Sequence, residues 1–273
     1  MTDITSYLQQ ITLPARDSHK GQNGKLLIIG GSELFHAASK WSLDIASTFV
    51  DMVFYASVPS NNELVQAAKG EFWNGIVIGR SEVENYLLEA DCVLIGPGME
   101  RTTETQDMVN GLLQKYPTKK WVIDAGALQM VDVRLLNENC ILTPHQKEFA
   151  DLYQKCFGEV TSVVTEESVT KVSQSCMGAT LVVKGVIDII AQGSHVEKID
   201  GGNAGMTKGG TGDVLAGLIA GLYATQDAVT AAVVGSYINK KAGDALYEKV
   251  GPYFNASDLV KEIPTVMWTL LKN

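Results

Sequence analysis

The chain has 273 residues, 45% hydrophobic and 19% charged, enough to bury the core of one α/β domain, and its formal charge of −9 leaves no basic face for replacing the counterions of a nucleic acid. No run reaches the apolar length of a membrane span, and the opening MTDITSYLQQITLP carries Asp3 where an export signal would have a basic, then apolar, succession. Nucleic acid and membranes are therefore not expected partners, and the cytoplasm is the expected compartment. Cys92, Cys140, Cys156 and Cys176 are widely spaced with no CxxC pair, which suits reduced, mostly buried thiols better than a zinc site.

In chain order, KLLIIG (25–30), MVFYAS (52–57), CVLIG (92–96), KWVIDA (120–125), CILT (140–143) and TLVVK (180–184) read as strands. Near-continuous apolar strands separated by helical patterns predict a parallel sheet covered on both faces. Ser81-Glu82-Val83-Glu84 and Thr103-Glu104-Thr105-Gln106 have the spacing of capping boxes. VIDIIAQ (186–192) and HVEKID (195–200), joined through Gly185 and Gly193-Ser194, predict antiparallel strands at the end of the sheet. Helices follow at roughly 213–224 and 227–248, the first with Val214, Leu215, Leu218, Ile219 and Leu222 on one stripe. Asn255-Ala256-Ser257 reads as the start of a last helix before Asp258 rather than a glycosylation site. With no repeat, low-complexity tract or linker, residues 1–273 are read as a single three-layer α/β/α domain with a mainly parallel central sheet.

Ligands of an open parallel sheet bind beyond the carboxyl ends of its strands, and here those ends carry the unusual residues. Gly30-Gly31-Ser32, Gly96-Pro97-Gly98, Asp124, Thr143-Pro144-His145 and Lys184-Gly185 converge on one rim. Pro144 holds Thr143 extended and ends its strand sharply, which projects His145 at that rim. Asp124 can fix a ligand or cap the next helix; Lys184 can meet a phosphate or be solvated. Neither GxGxxG nor GxxxxGK[ST] occurs, so phosphate binding falls to GGNAGMTKGGTGDVLAGLIAGL (201–222), which has eight glycines in 22 positions. Its Gly209, Gly210, Thr211 and Gly212 precede a helix whose N-terminal amides attract an anion. Asp213 beside them fits the general base that takes the proton of an attacking hydroxyl, so phosphoryl transfer to an alcohol is the chemistry this stretch suggests.

GGTGDVLAG (209–217) with Asn203-Ala204-Gly205-Met206 resembles the C-terminal signature of ribokinase-like enzymes, and specifically of the ADP- or ATP-dependent NAD(P)H-hydrate dehydratases. HKGQNGKLLIIGGSELFHAA, VLIGPGM, VIDAGAL, ILTPHQKEFA and LVVKG precede it in the matching order, so the resemblance runs from about residue 19 to 245. It implies a ribokinase-like fold and a lyase of metabolite repair. Such an enzyme restores NADH or NADPH from its hydrate by phosphorylating the ring hydroxyl, after which phosphate leaves. The resemblance further implies that Ala38, Gly98, His145 and Asp213 contact the hydrated dinucleotide, and that Lys184, Gly185, Val186, Ile187, Asp188 and Gly212 contact ADP or ATP. Gly31, Ser32, Gly96, Asp124 and Glu148 would surround these contacts, Mg2+ would bridge the phosphates, and the protein would be a homo-oligomer. The chain begins almost at the first motif, so the expectation is a stand-alone domain with no epimerase domain ahead of it.

The sequence departs from the family pattern at Ala37, Gln146, Lys147, Ala204, Thr207, Lys208 and Asp188, and at Phe49-Val50-Asp51. These departures are expected to ring the dinucleotide pocket, with Lys208 adding a cation beside the phosphate loop and an inward Asp188 repelling a phosphate. The runner-up reading is a ribokinase-like kinase of a small alcohol of hydroxymethylpyrimidine, thiazole or pyridoxal type, and a third is a nucleotide-binding relative without catalysis.

Overall fold

The computed structural model describes residues 2–68, 74–159 and 163–272. Its sheet is built from β1 (Lys25–Ile29), β2 (Met52–Ala56), β3 (Ile76–Ile78), β4 (Cys92–Ile95), β5 (Lys120–Ile123), β6 (Cys140–Leu142), β7 (Thr180–Val183), β8 (Asp188–Gln192) and β9 (His195–Ile199). The strand order is β3-β2-β1-β4-β5-β6-β7-β8-β9. The strands from β3 to β7 pair in parallel, and β8 and β9 close the sheet antiparallel, as the turns at Gly185 and Gly193 predict. The three-residue β3, bracketed by Gly75 and Gly79, is too short to give a sequence signal, and it owes its pairing to β2.

The helices are α1 (Ile4–Leu8), α2 (His36–Ala46), α3 (Pro59–Ala67), α4 (Val83–Glu89), α5 (Thr103–Lys115), α6 (Ala125–Met130), α7 (Gln146–Phe157), α8 (Glu166–Ser175), α9 (Thr211–Tyr223), α10 (Ala228–Val250) and α11 (Ala256–Lys272). Alternation along each strand feeds two cores, since successive side chains point to opposite faces. Leu26, Ile28, Leu94 and Val122 pack with α2, α9, α10 and α11 on one face. Leu27, Ile29, Ile95, Trp121 and Ile123 pack with α4 to α8 on the other. Among the described residues, no helix is long and apolar enough to cross a membrane.

Three local expectations change. Glu82 reaches back to the Gly79 amide (3.0 Å), so no box forms at Ser81–Glu84. The cap of α5 is Thr102, which accepts from Thr105 N at 3.2 Å, one residue earlier than read. α9 is buried almost all round rather than along one stripe, because it lies between the sheet, α2 and α10. At α11, Asn255 and Asp258 do cap each other, Asn255 Oδ1 accepting from Ser257 N (2.9 Å) and Asp258 Oδ2 from Asn255 N (2.9 Å). The four cysteines are free, and Cys156 and Cys176, 20 positions apart, bring their sulfurs to 3.8 Å.

The chain leaves β1 outward to β2 and β3, then returns to place β4 on the opposite side of β1, so the order reverses at the β1–β4 boundary. The loops beyond that boundary diverge and leave a crevice. They are tied by Gly31 N donating to Pro97 O at 2.7 Å. Gly31, at φ +75°, has no space for a side chain, because Asn61 Nδ2 would lie 2.1 Å from a Cβ. Asn61 itself belongs to a buried polar knot, donating to Tyr55 Oη (2.9 Å) and Ser57 Oγ (2.8 Å), which stiffens the loop from below.

α9 is brought to this crevice by its contact with α2. A Cβ at Gly217 would meet Ser42 O at 2.6 Å and Ile45 Cγ2 at 2.7 Å, so only glycine allows the helices to approach this closely. Replacing Gly217 by valine should destabilise the fold by about 1–3 kcal/mol through overpacking, read as a lowered denaturation midpoint, whereas an unchanged midpoint would show the α2–α9 contact to be loose.

Candidate active site

Gly210 sits at φ +96° in front of α9, and a Cβ there would lie 2.5 Å from the Trp41 ring, so both conformation and space require glycine. Thr211 Oγ1 donates toward Met206 O (2.7 Å), fastening the turn. The first-turn amides of Gly212 and Asp213 have no helical partner, and a Cβ at Gly212 would meet only Lys184 Nζ, at 3.5 Å. The result is a short strip of donors facing a lysine, which suits a phosphate.

The Asp213 backbone is fixed by Ser42 Oγ, which donates to Asp213 O at 2.8 Å. Its carboxyl faces a cavity of about 470 Å³ lined by Ala38, Gly98, Gln129, His145 and Glu148, among others. Burial, then the negative charge of Asp124, push Asp213 up to about 7 against the pull of Lys184. Asp124 does not cap α6; its Oδ1 accepts from Thr143 Oγ1 (2.8 Å) and Lys184 Nζ (3.2 Å). Burial opposes the charge on Lys184, but Asp124, Glu148 and Asp213 outweigh it and hold the ammonium above its ordinary value.

His145 opens α7 in a true capping box. Its Nδ1 accepts from Glu148 N (3.1 Å), and Glu148 Oε2 accepts from His145 N (3.0 Å). That bond makes Nδ1 the acceptor, so the proton of a neutral ring sits on Nε2. Gln129 Nε2 donates to Glu148 Oε1 at 3.0 Å, leaving the acid buried and satisfied. Gly98 (φ +73°) and Ala125, a non-glycine at φ +46°, shape the opposite wall. A side chain at Gly98 would strike Phe35 O at 2.3 Å.

On the other side of Gly212 lies a second cavity, of about 530 Å³, whose lining includes Lys184, Gly185, Val186, Asn203 and Thr211. Gly212 and Asp213 therefore stand at the junction of two cavities. Ile187 is half exposed and outside this lining, as are Gly209 and Gly210, while Gly31, Ser32 and Gly96 lie outside both. Asn203 turns its side chain into its own loop, accepting from Gly205 N (3.0 Å) and donating to Gly243 O (2.9 Å), so it shapes the turn instead of presenting an amide to an anion.

Asp188 lines the second cavity with its carboxylate already engaged, accepting from Gly185 N (2.9 Å) and Ser236 Oγ (2.6 Å) and neutralised by Lys240 Nζ (3.2 Å). Lys208 is drawn away from the loop, onto Phe254 O (2.6 Å) and the carbonyl of Pro252. The departures do not ring the first cavity either. Ala37, Gln146 and Lys147 lie outside its lining, and Ala204 and Thr207 line the second. Sequence reading missed Lys240, which donates to Gly185 O and Val186 O (both 2.9 Å) and to Gly201 O (3.2 Å), binding the two loops of the second cavity together. In the sequence it is one of the polar run Asn239-Lys240-Lys241, which gives no sign of which lysine turns inward.

The sheet order and its flanking helices give the chain a ribokinase-like fold, with a buried acid at the donor-rich start of α9. The family model for NAD(P)H-hydrate dehydratases matches residues 26–265, and the chain belongs to that family. It is 33% identical over 283 residues to an ADP-dependent (S)-NAD(P)H-hydrate dehydratase of Nitrosopumilus maritimus, covering 97% of this chain and 96% of the relative. It is 36% identical over 259 residues to a bifunctional NAD(P)H-hydrate repair enzyme of Methanocaldococcus jannaschii, covering 92% of this chain but 49% of that relative, so it spans about half the length of the bifunctional relatives it matches. A Bacillus subtilis ADP/ATP-dependent NAD(P)H-hydrate dehydratase, co-crystallised with ATP/Mg2+, superposes with a TM-score of 0.78 at 20% identity, over 97% of this chain and 96% of that one.

The raised Asp213 carboxyl has a thermodynamic signature. The native state keeps its proton from the ordinary 3.8 up to about 7, so ionising it costs stability that is lost as pH rises through this window. Asp213→Asn should therefore be more stable than the parent at pH 8, on the order of 2 kcal/mol, with the gain vanishing below about pH 4. Denaturant melts across pH test this; a pH-independent difference would contradict the burial of the charge.

Proposed function

We propose that this chain dehydrates the hydrates of NADH and NADPH with ADP or ATP as phosphoryl donor. The observation that carries the reading is the Asp213 carboxyl, pushed up to about 7, at the junction of two cavities and on the donor-rich start of a helix. The nucleotide occupies the second cavity with its terminal phosphate on the α9 amides and near Lys184. The hydrated nicotinamide ring occupies the first, between Ala38, Gly98 and His145.

Asp213 takes the proton of the ring hydroxyl as its oxygen bonds to the terminal phosphorus, and the P–O bond to the nucleotide breaks with its electrons leaving on the nucleotide. The ring then expels phosphate with its C–O bond electrons and loses a proton from the neighbouring carbon, which restores the double bond. Lys184, held by Asp124, stabilises the transferring charge without competing for the proton.

Among the described residues, no cluster of three or more His, Cys, Asp or Glu is assembled to hold a metal ion; both oxygens of Glu148 are engaged, by Gln129 and His145, while Asp124 uses Oδ1 for Lys184 and Thr143. This donor set fits a magnesium ion carried mainly by the nucleotide phosphates, with Asp213 or Asp124 nearest to it. Its chemistry there is neutralisation of phosphate charge. The reading includes a homo-oligomer, supported by the exposed apolar Tyr253 and Trp268 beyond α10 and on α11.

Mixing the protein with hydrated NADH, magnesium and either nucleotide should raise the dihydronicotinamide absorbance, whereas a phosphorylated product with no such rise would establish the small-alcohol kinase. Asp213→Asn should lower turnover by about 10²–10⁴-fold while nucleotide affinity stays within a few fold. Equal loss of both would remove Asp213 from the base role. The parent's kcat/KM should rise with pH through an apparent pKa near 7, since the base works only when ionised.

A further inference from the structure

On the face of the sheet away from α9, two thiols meet that the proposed reaction does not use. Cys156 lies in the last turn of α7 and Cys176 ends α8, and their sulfurs stand 3.8 Å apart across 20 positions of chain. The two differ in access. Cys176 is fully buried, whereas Cys156 is partly exposed and opens onto a third cavity, of about 530 Å³, whose wall includes Lys155 and Ser175. Both backbones are held by helix ends, Gly158 N donating to Gln154 O (2.8 Å) and Cys176 N to Val172 O (2.9 Å), so the fold sets the contact. Cys92 and Cys140 are the contrast: burial in the core pushes their thiols up to about 12 and about 11, which leaves them inert. Cys156 is shifted the other way, below the ordinary thiol range, because Cys176 and Ser175 hydrogen-bond to it and the Lys155 ammonium is near.

We propose that Cys156 and Cys176 form a thiol–disulfide exchange site for low-molecular-weight disulfides. The Cys156 thiolate attacks one sulfur of the small disulfide, forming a mixed disulfide and expelling the first thiolate. Cys176, already in contact, then attacks the Cys156 sulfur and gives its proton to the second departing thiolate. Two cysteine thiols are oxidised, the small disulfide is reduced to two thiols, and the two cysteine protons end on them. The opposite order is blocked, because Cys176 has no exposed surface for the reagent to reach. Closure takes the sulfurs from 3.8 Å to a bond of about 2 Å, a change of side-chain scale rather than of helix position. The third cavity gives the reagent room at Cys156, and Lys155 on its wall favours the thiolate. Neither cysteine lines either reaction cavity, so the bond acts on stability. It ties the end of α7 to the end of α8 and restricts the unfolded chain between them.

The test treats the folded full chain with oxidised glutathione and reads intact mass and peptide linkage after an acid quench. The parent should lose two hydrogens, retain no glutathione and yield a single linkage, Cys156 to Cys176, which dithiothreitol reverses. Cys176→Ser should stop at the mixed disulfide, with one glutathione on Cys156. Cys156→Ser should react at least tenfold more slowly than the parent, since the reagent cannot reach Cys176. The closed parent should melt about 5 °C above the reduced form. An unreactive parent overturns the proposal, as do glutathione retained on it, linkage through Cys92 or Cys140, cross-linking between chains, and a Cys156→Ser variant that reacts as fast as the parent. A closed form that melts no higher than the reduced one overturns it as well. Should a serine variant fail to give a native melting transition, the parent decides alone, through its linkage map and the appearance of the mixed disulfide on Cys156 before the closed form.

Discussion

The close approach of α2 and α9 is the constraint on which the site depends. Gly217 lets α9 lie against Ser42 and Ile45, Gly210 lets its start turn beneath Trp41, and Ser42 holds the Asp213 carbonyl. A helix start is useful for binding an anion only if its free amides face a cavity while the rest of the helix is buried, and burial of α9 on nearly every side achieves this. Glycine in a helix interior destabilises it by roughly 1 kcal/mol relative to alanine, so its use here reflects spacing rather than propensity.

From that placement the electrostatics follow. Asp213 is withdrawn from water, faces Asp124 and has Lys184 within its field, so it can hold or release a proton near neutral pH. Lys184 is kept charged by the same acids and fastened to Asp124, which in turn is fastened to Thr143. Each of these residues comes from the end of a different strand or from the start of α9. The geometry therefore belongs to the sheet and cannot be reached by any short segment alone.

Much of this was legible in the sequence because glycine, proline and charge are strong local signals. The strand ends were marked by Gly30-Gly31, Gly96-Pro97-Gly98 and Thr143-Pro144-His145, and the family's ordered motifs added the two-ligand interpretation. What could not be read was long-range. β3 has three residues and gains its identity from β2. Ser236 and Phe254, which engage Asp188 and Lys208, lie 48 and 46 positions away along the chain, and these contacts occupy the Asp188 carboxylate and draw the Lys208 ammonium away from the loop. Asn239 of the second cavity was invisible for the same reason: on α10 it opens the polar run Asn239-Lys240-Lys241, and only the fold shows that it is buried with no donor to its oxygen.

In the proposed mechanism Asp213 deprotonates the ring hydroxyl so that its oxygen attacks phosphorus. The most direct measurement follows that oxygen, using hydrated NADH carrying 18O in the ring hydroxyl, with the released phosphate analysed by mass. Attack through that oxygen leaves one 18O atom in each phosphate formed. Unlabelled phosphate, with the 18O recovered in water, would contradict it by showing that the hydroxyl departs without ever being phosphorylated.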